Sequence, residues 1–265
     1  MGIKTIIKNS ELPKAYQNYT LTKTKDGNSD TVYFMDDKYV LKVFENKTIQ
    51  TIQNELYVLE LCKNLPVPKL YSEVFYIDDK PAIVYEKCDG KSLKISKIEH
   101  IKQIAIFLKK FHRTTKDKSL NGIEYYSEDY LLSLIKKTKN NKFQDIYNSI
   151  NIKLKHDGII HGDIFYDNAI FKDDKLKCII DFTESCNGDF IFDLAVVAII
   201  WCFEEDNLDS EKLEVLCETY ELNISMVKFK EYMKYALLYY ITTRDLDNRD
   251  YDDLLKKMDN INEKY

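Results

Sequence analysis

The sequence predicts an α+β chain in two lobes: an antiparallel sheet with one main helix over residues 1–88, a linker over 89–97, and a larger, mostly helical lobe over 98–265. Three observations predict it. Short apolar runs separated by polar turns fill the first ninety residues, interrupted by a single segment with helical spacing. Beyond residue 98, apolar residues recur every three or four positions, the period of a helix face. Within that helical half lies one short hairpin pattern at 169–180, flanked by Asn168 and Asp181.

In the first lobe, Tyr39-Val40-Leu41-Lys42-Val43-Phe44 reads as a strand apolar on both faces. A lysine in its middle is costly to bury without an anion. The next segment, 48–63, carries Ile49, Ile52, Leu56 and Leu59 at helical spacing, with Glu55 beside that stripe. Lys42 and Glu55 are therefore expected to pair, the other reading being two solvated charges at a lobe edge. Upstream, Asp26-Gly27-Asn28-Ser29-Asp30-Thr31 joins two strands. Its single glycine leaves Asn28, Ser29 and Thr31 to tolerate a tight turn or to donate hydrogen bonds. Downstream, Pro81-Ala82-Ile83-Val84-Tyr85-Glu86-Lys87-Cys88 reads as the strand leaving the lobe, with Asp89-Gly90-Lys91 as its turn.

The second lobe opens with Ile98, Ile101, Ala105, Leu108 and Phe111 on one helix face that ends at His112-Arg113, where His112 reads as a packing or capping residue. Residues 114–157 are rich in Lys, Asn, Tyr and Ser, yet Tyr130-Leu131-Leu132-Ser133-Leu134-Ile135 supports a helix within that insertion. The apolar run 194–203, with the only tryptophan, Trp201, is too short to span a bilayer and reads as a buried helix. Further helices are expected over 210–220, 227–244 and 251–264.

Chemistry concentrates in Ile159-Ile160-His161-Gly162-Asp163-Ile164-Phe165-Tyr166-Asp167-Asn168, followed thirteen residues later by Asp181-Phe182. The apolar runs 169–171 and 176–180 flank Lys172-Asp173-Asp174-Lys175, a tetrapeptide suited to a hairpin turn. An antiparallel hairpin brings its open ends together, so Asn168 and Asp181 present two oxygen ligands at one end. A hard cation such as Mg²⁺ takes one or two such protein oxygens and fills its other positions with water and phosphate. Asp163, five residues before Asn168, faces the same space from the preceding loop.

These residues resemble the catalytic segment of the aminoglycoside phosphotransferase and choline kinase superfamily, relatives of the protein kinases. The resemblance implies a protein-kinase-like bilobal fold with ATP and Mg²⁺ as cofactors. It makes Asp163 the catalytic base and Asn168 and Asp181 the metal ligands, with His161-Gly162-Asp163 and Asp181-Phe182-Thr183 standing where protein kinases carry H-R-D and D-F-G. His161 becomes structural support for that segment. Gly188-Asp189-Phe190-Ile191-Phe192-Asp193-Leu194-Ala195 resembles the G-D-P-x-x-D-L-A segment, with Phe190 where proline is usual. Asp193 would brace the catalytic loop through its backbone amides, or serve as an ordinary carboxylate near a helix start. By the same template Lys42 contacts ATP phosphates beside Glu55, Asn28 and Ser29 occupy the phosphate loop, and backbone near Glu86 and Cys88 holds adenine.

The segment Asp181-Phe182-Thr183-Glu184-Ser185-Cys186, with Phe192-Asp193-Leu194-Ala195 and Trp201-Cys202-Phe203-Glu204, looks most like the bacterial homoserine kinases built on this fold. Homoserine, as acceptor, needs a cation for its carboxylate and an acid for its ammonium. Only Arg113, Arg244 and Arg249 are arginines among 39 cations. Arg244 is the clamp candidate, or else a cation completing a helix C-terminus. Glu184 is the ammonium candidate, or else one half of a loop salt bridge, and Trp201 joins the acceptor side through the resemblance. An aminoglycoside or a choline-like amino alcohol is the alternative acceptor, suggested by Glu204-Glu205-Asp206, which reads equally as a solvated loop. A catalytically idle nucleotide-binding protein is the alternative from another class, and the intact Asp163, Asn168 and Asp181 speak against it. The short stretch from Asp181 to Asp193 leaves little room for the peptide platform of a protein kinase.

A net charge of −5 and a pI near 5.6 disfavour a nucleic-acid partner. The N-terminus has no apolar signal core, and Gly2 lacks the Ser or Thr at position 6 that would support myristoylation. The six cysteines (62, 88, 178, 186, 202, 217) form no C-x-x-C pair and read as buried free thiols, which fits the cytoplasm and no membrane association.

Overall fold

The computed structural model describes residues 4–24 and 29–263, and the chain divides into two compact units, Met1–Asp89 and Gly90–Tyr265. In the first, β1 (Leu21–Lys23), β2 (Thr31–Met35), β3 (Tyr39–Val43), β4 (Phe75–Ile77) and β5 (Lys80–Glu86) form one antiparallel sheet in the order β1-β2-β3-β5-β4. Its tight hairpins turn on Asp-Asp pairs. Asp36 and Asp37 have φ of 48° and 57°, and Asp78 and Asp79 have 47° and 60°. Positive φ at both central positions matches the right-handed twist of the strands, and aspartate tolerates that region by bonding its own backbone.

Alternation along β3 decides where Lys42 goes. Leu41 and Val43 join Tyr33, Met35, Ile77, Ala82 and Val84 in a cluster closed by Ile7 and Leu12 of the leading segment, so Lys42 takes the opposite face. The helix α1 (Ile49–Leu61) follows, capped by the Thr48 hydroxyl, which accepts from the Thr51 amide. Its buried residues are Ile52, Glu55, Val58 and Leu59, while Ile49 is 47% exposed. The buried line therefore runs through Glu55 rather than beside it.

The second unit begins with β6 (Lys91–Ser92) and α2 (Ile98–Thr115), then α3 (Glu128–Thr138) and α4 (Asn141–Ser149). The last was not legible as a helix, because only Phe143 is buried and one residue makes no period. Next come β7 (Gly158–Ile160), β8 (Ala169–Lys172), β9 (Lys175–Ile179), β10 (Cys186–Gly188) and α5 (Phe190–Trp201). The remaining helices are α6 (Ser210–Tyr220), α7 (Met226–Leu246) and α8 (Asp252–Glu263). Strand β8 pairs with β6 and β9, and β7 with β10. The β8–β9 hairpin turns on a third Asp-Asp pair, Asp173 and Asp174, at φ of 51° and 57°.

Helix α5 is buried from Phe192 through Ile199 and again at Trp201, and it packs on α7. Among the described residues no helix is long and apolar enough to cross a membrane. Cys62, Cys186, Cys202 and Cys217 are buried free thiols. Cys88 and Cys178 are not among the free thiols, which corrects the expectation for all six.

Candidate active site

Strand β7 hands the chain directly to His161, Gly162 and Asp163. Asp193, in the first turn of α5 and fully buried, accepts the His161 amide on Oδ2 at 2.9 Å and the Gly162 amide on Oδ1 at 2.8 Å. His112, at the end of α2, adds a third contact through Nε2 at 3.0 Å from Oδ2. Burial pushes the Asp193 carboxyl up, but the hydrogen bonds from His112 and from the His161 amide outweigh it and hold the carboxyl below the ordinary range. The cap of α5 is a different residue, Asp189, whose Oδ1 accepts the Ile191 amide at 2.8 Å. Phe190, in place of proline, stacks on the His112 ring with centroids 4.1 Å apart.

His161 ties the Asp163 loop to Ile180, just past the end of β9 and just before Asp181. Its Nδ1 accepts the Asp163 amide at 3.2 Å, so Nε2 carries the proton donated to the Ile180 carbonyl at 3.1 Å. Burial keeps this imidazole below its usual value and therefore neutral.

The open end of the β8–β9 hairpin brings the other two residues in. The Ile180 amide donates to the Asn168 carbonyl at 2.9 Å, one step beyond the last ladder pair Ala169–Ile179, so Asn168 and Asp181 stand at the same end of the hairpin. The Asn168 side-chain amide donates to the Asp163 carbonyl at 2.8 Å and to Asp163 Oδ2 at 2.9 Å. Asp181 sits at φ 63°, and its Oδ1 accepts the Thr183 hydroxyl at 2.7 Å. Burial, then the charges of Glu184, Asp181 and Asp167, pushes the Asp163 carboxyl well above the ordinary range, opposed by the Asn168 hydrogen bond. Asp163, Asn168, Asp181 and Glu184 thus share one neighbourhood.

Two residues expected on the acceptor side are placed otherwise. Trp201 has no exposed surface, and its indole N–H donates to the Ile164 carbonyl at 2.8 Å, so it supports the loop just after Asp163 instead of meeting a ligand. Arg244 is held by Asp253 at 2.6 Å and by the Asp250 carbonyl at 3.3 Å, completing the end of α7. A guanidinium occupied in this way is not positioned as a carboxylate clamp. Arg244→Lys is accordingly expected to cost less than about 1 kcal/mol, measured by urea unfolding, with no change in acceptor KM.

Glu184 accepts the Tyr126 hydroxyl on Oε2 at 3.2 Å. Tyr126 lies 4.8 Å from Tyr239 between ring centroids, and the hydroxyl of Tyr240 donates to the Gly162 carbonyl. None of these tyrosines was legible as a site residue, because twenty tyrosines spread along the chain carry no spacing signal.

In the first unit, Lys42 Nζ lies 3.6 Å from Glu55 Oε2 and 3.8 Å from Asp30 Oδ2, all three residues being buried. Glu55 Oε1 also accepts the Tyr85 hydroxyl at 3.3 Å. Asp30 escaped sequence reading because it stands at the edge of a turn, where aspartate is common. Ser29 is exposed and its carbonyl accepts Lys4 Nζ at 2.9 Å, while Asn28 lies outside the described residues. The Glu86 amide donates to the Lys69 carbonyl at 2.8 Å and its side chain is exposed; Cys88 follows two residues after the end of β5.

Residues 20–221 match the model of the phosphotransferase enzyme family. A homoserine kinase of Bartonella henselae is 25% identical over 214 residues, covering 72% of this chain and 66% of the relative. A homoserine kinase of Azorhizobium caulinodans is 55% identical over 49 residues, covering 18% of this chain and 15% of the relative. The chain therefore spans less than two thirds of the length of these relatives. A crystal structure of a thermostable mutant of aminoglycoside phosphotransferase APH(4)-Ia superposes with a TM-score of 0.66 at 12% identity, covering 96% of this chain and 97% of that one. With its kinase-like α+β fold and a family match across most of its length, the chain belongs to the phosphotransferase enzyme family.

Proposed function

We propose that the protein transfers the γ-phosphoryl group of ATP to the hydroxyl of a small molecule, with homoserine as the leading acceptor. The observation that carries the reaction class is the Asp193-braced loop that sets Asp163 against Asn168 and Asp181. Asp163 orients the acceptor hydroxyl and takes its proton, and its neighbours hold it in that pose. Asn168 and Asp181 suit Mg²⁺: one amide and one carboxylate oxygen at a hairpin end is a donor set that a hard cation accepts. The crowding of Asp163 by Asp181, Glu184 and Asp167 is the kind of charge a cation relieves. Bound there, Mg²⁺ would neutralise charge on the transferring phosphoryl group.

Lys42, paired with Glu55, takes the ATP phosphates in this reading, and Ser29 and Asn28 belong to the phosphate loop. Because the Glu86 amide already serves Lys69, the adenine contact falls to carbonyl groups near Glu86 and to Cys88. Homoserine leads because the similarity to homoserine kinases runs over most of the chain and Glu184 stands beside the base. Two acids of the cluster behind the aminoglycoside alternative are already partnered: Glu204 meets Lys212 at 2.9 Å and Asp206 meets Lys256 at 3.6 Å.

The deciding experiment presents purified protein and ATP with homoserine, free serine, choline and an aminoglycoside, reading ADP release above the no-acceptor background. Turnover with homoserine alone or foremost is expected. Turnover with the aminoglycoside and none with homoserine overturns the acceptor and leaves the reaction class standing. In a double-mutant cycle, Lys42→Ala and Glu55→Ala should be non-additive by about 0.5–3 kcal/mol in their effect on KM for ATP, and additive losses would show that they act separately.

A further inference from the structure

Tyr126 lies between α2 and α3, outside every motif of the sequence, yet it touches both halves of the acceptor side. Its side chain is 2% exposed. Gly162 has φ +78°, a conformation that L side chains rarely adopt, and a Cβ placed there would come within 2.0 Å of Tyr126 Cε2. The tyrosine ring therefore fills the place that a side chain at 162 would take. At that same end of the ring the hydroxyl, itself 2.6 Å from the Cβ position at 162, donates to Glu184 Oε2 at 3.2 Å.

The residue is itself well anchored. Its carbonyl accepts the Tyr235 hydroxyl of α7 at 3.0 Å, and its ring rests 4.9 Å from Phe192 of α5 and 4.8 Å from Tyr239 between centroids. The Gly162 carbonyl is held in turn by the Tyr240 hydroxyl. Glycine between His161 and Asp163 thus answers to a packing contact as well as to a backbone angle.

We propose that Tyr126 is a positioning residue that couples the base loop to acceptor recognition: its ring seats Gly162 and hence Asp163, and its hydroxyl holds Glu184 to receive a cationic amino group on the acceptor. The second half rests on the reading of Glu184 as the acceptor-side acid. With Oε2 committed to the phenol, Oε1 is left for the ligand. An acceptor carrying an ammonium near its hydroxyl satisfies that oxygen, and an uncharged alcohol does not.

Tyr126→Phe keeps the ring and removes only the hydroxyl. With homoserine as the probe, its KM should rise about tenfold, the scale of one hydrogen bond to a charged group, while KM for ATP stays put. In a Glu184→Gln background the same substitution should have little further effect. An unchanged homoserine KM, an equal change in both KM values, or an undiminished effect in the Glu184→Gln background overturns the role of the hydroxyl.

The role of the ring is read without any acceptor. Gly162→Ala should lower Tm, and much of that loss should vanish in a Tyr126→Ala background, where the clash is gone and only the backbone angle remains. Additive losses of Tm overturn it. If the wild-type protein does not phosphorylate homoserine, the acceptor reading has failed, and the Gly162–Tyr126 cycle then decides the positioning role by itself.

Discussion

Asp163→Asn is expected to lower kcat about 10²- to 10⁴-fold, the range for loss of a positioned general base, while nucleotide affinity is retained. The amide fits the same space and can keep a hydrogen bond with Asn168, which now meets Asp163 Oδ2 at 2.9 Å, but it accepts no proton. The substitution should also raise Tm when the protein is assayed in chelator. Burial and the charges of Glu184, Asp181 and Asp167 hold the Asp163 carboxyl above its ordinary value, so its ionised form costs folding stability at neutral pH. Isothermal titration with ADP, steady-state kinetics and a thermal melt report the three quantities. Near-normal turnover in the variant would remove Asp163 from the mechanism.

The second large effect is structural. Asp193→Asn should cost about 1.5–3 kcal/mol, the range for a hydrogen bond to a charged group, because one carboxamide oxygen cannot accept the His161 and Gly162 amides and also meet His112. Its turnover should fall as well, since the same bonds aim the base loop. The pH dependence gives a sharper check. The Asp193 carboxyl lies below the ordinary aspartate value of 3.8 in the folded chain, so its contribution is full above that value and is lost as the pH falls through the lowered native one. Urea midpoints taken down the acid range should therefore converge for wild type and variant. A constant gap between them would mean that Asp193 contributes by packing and not by charge.

The hairpin between Asn168 and Asp181 was readable because its determinants are local. Two short apolar runs around Asp173-Asp174 specify a tight turn, and the turn places Asn168 and Asp181 at one end whatever surrounds it. The buried run of α5 and the helices near 210, 227 and 251 announced themselves the same way, by period and length. Glu55 could be marked for Lys42 because a buried lysine requires an acid and α1 offers one on its buried line. By contrast, Asp30 as a second carboxylate for Lys42 has no sequence signal, since an aspartate at a turn is unremarked.

Which residues finish the site depended on packing between elements far apart in the chain. Arg244 looked like a clamp from its apolar helix, but Asp253 of the next helix claims its guanidinium. Trp201 looked like an acceptor residue from its motif, but the close packing of α5 leaves it no exposed surface. Tyr126 looked like nothing, and it is pressed against Gly162 and bonded to Glu184, 36 and 58 positions away. Local pattern sufficed for strands, helices and the placement of Asn168 and Asp181 at one hairpin end, because those follow from backbone periodicity and turn chemistry over a few residues. The partners of each charged or aromatic side chain were decided only when the elements packed, because burial, and not sequence spacing, determines which polar groups must satisfy one another.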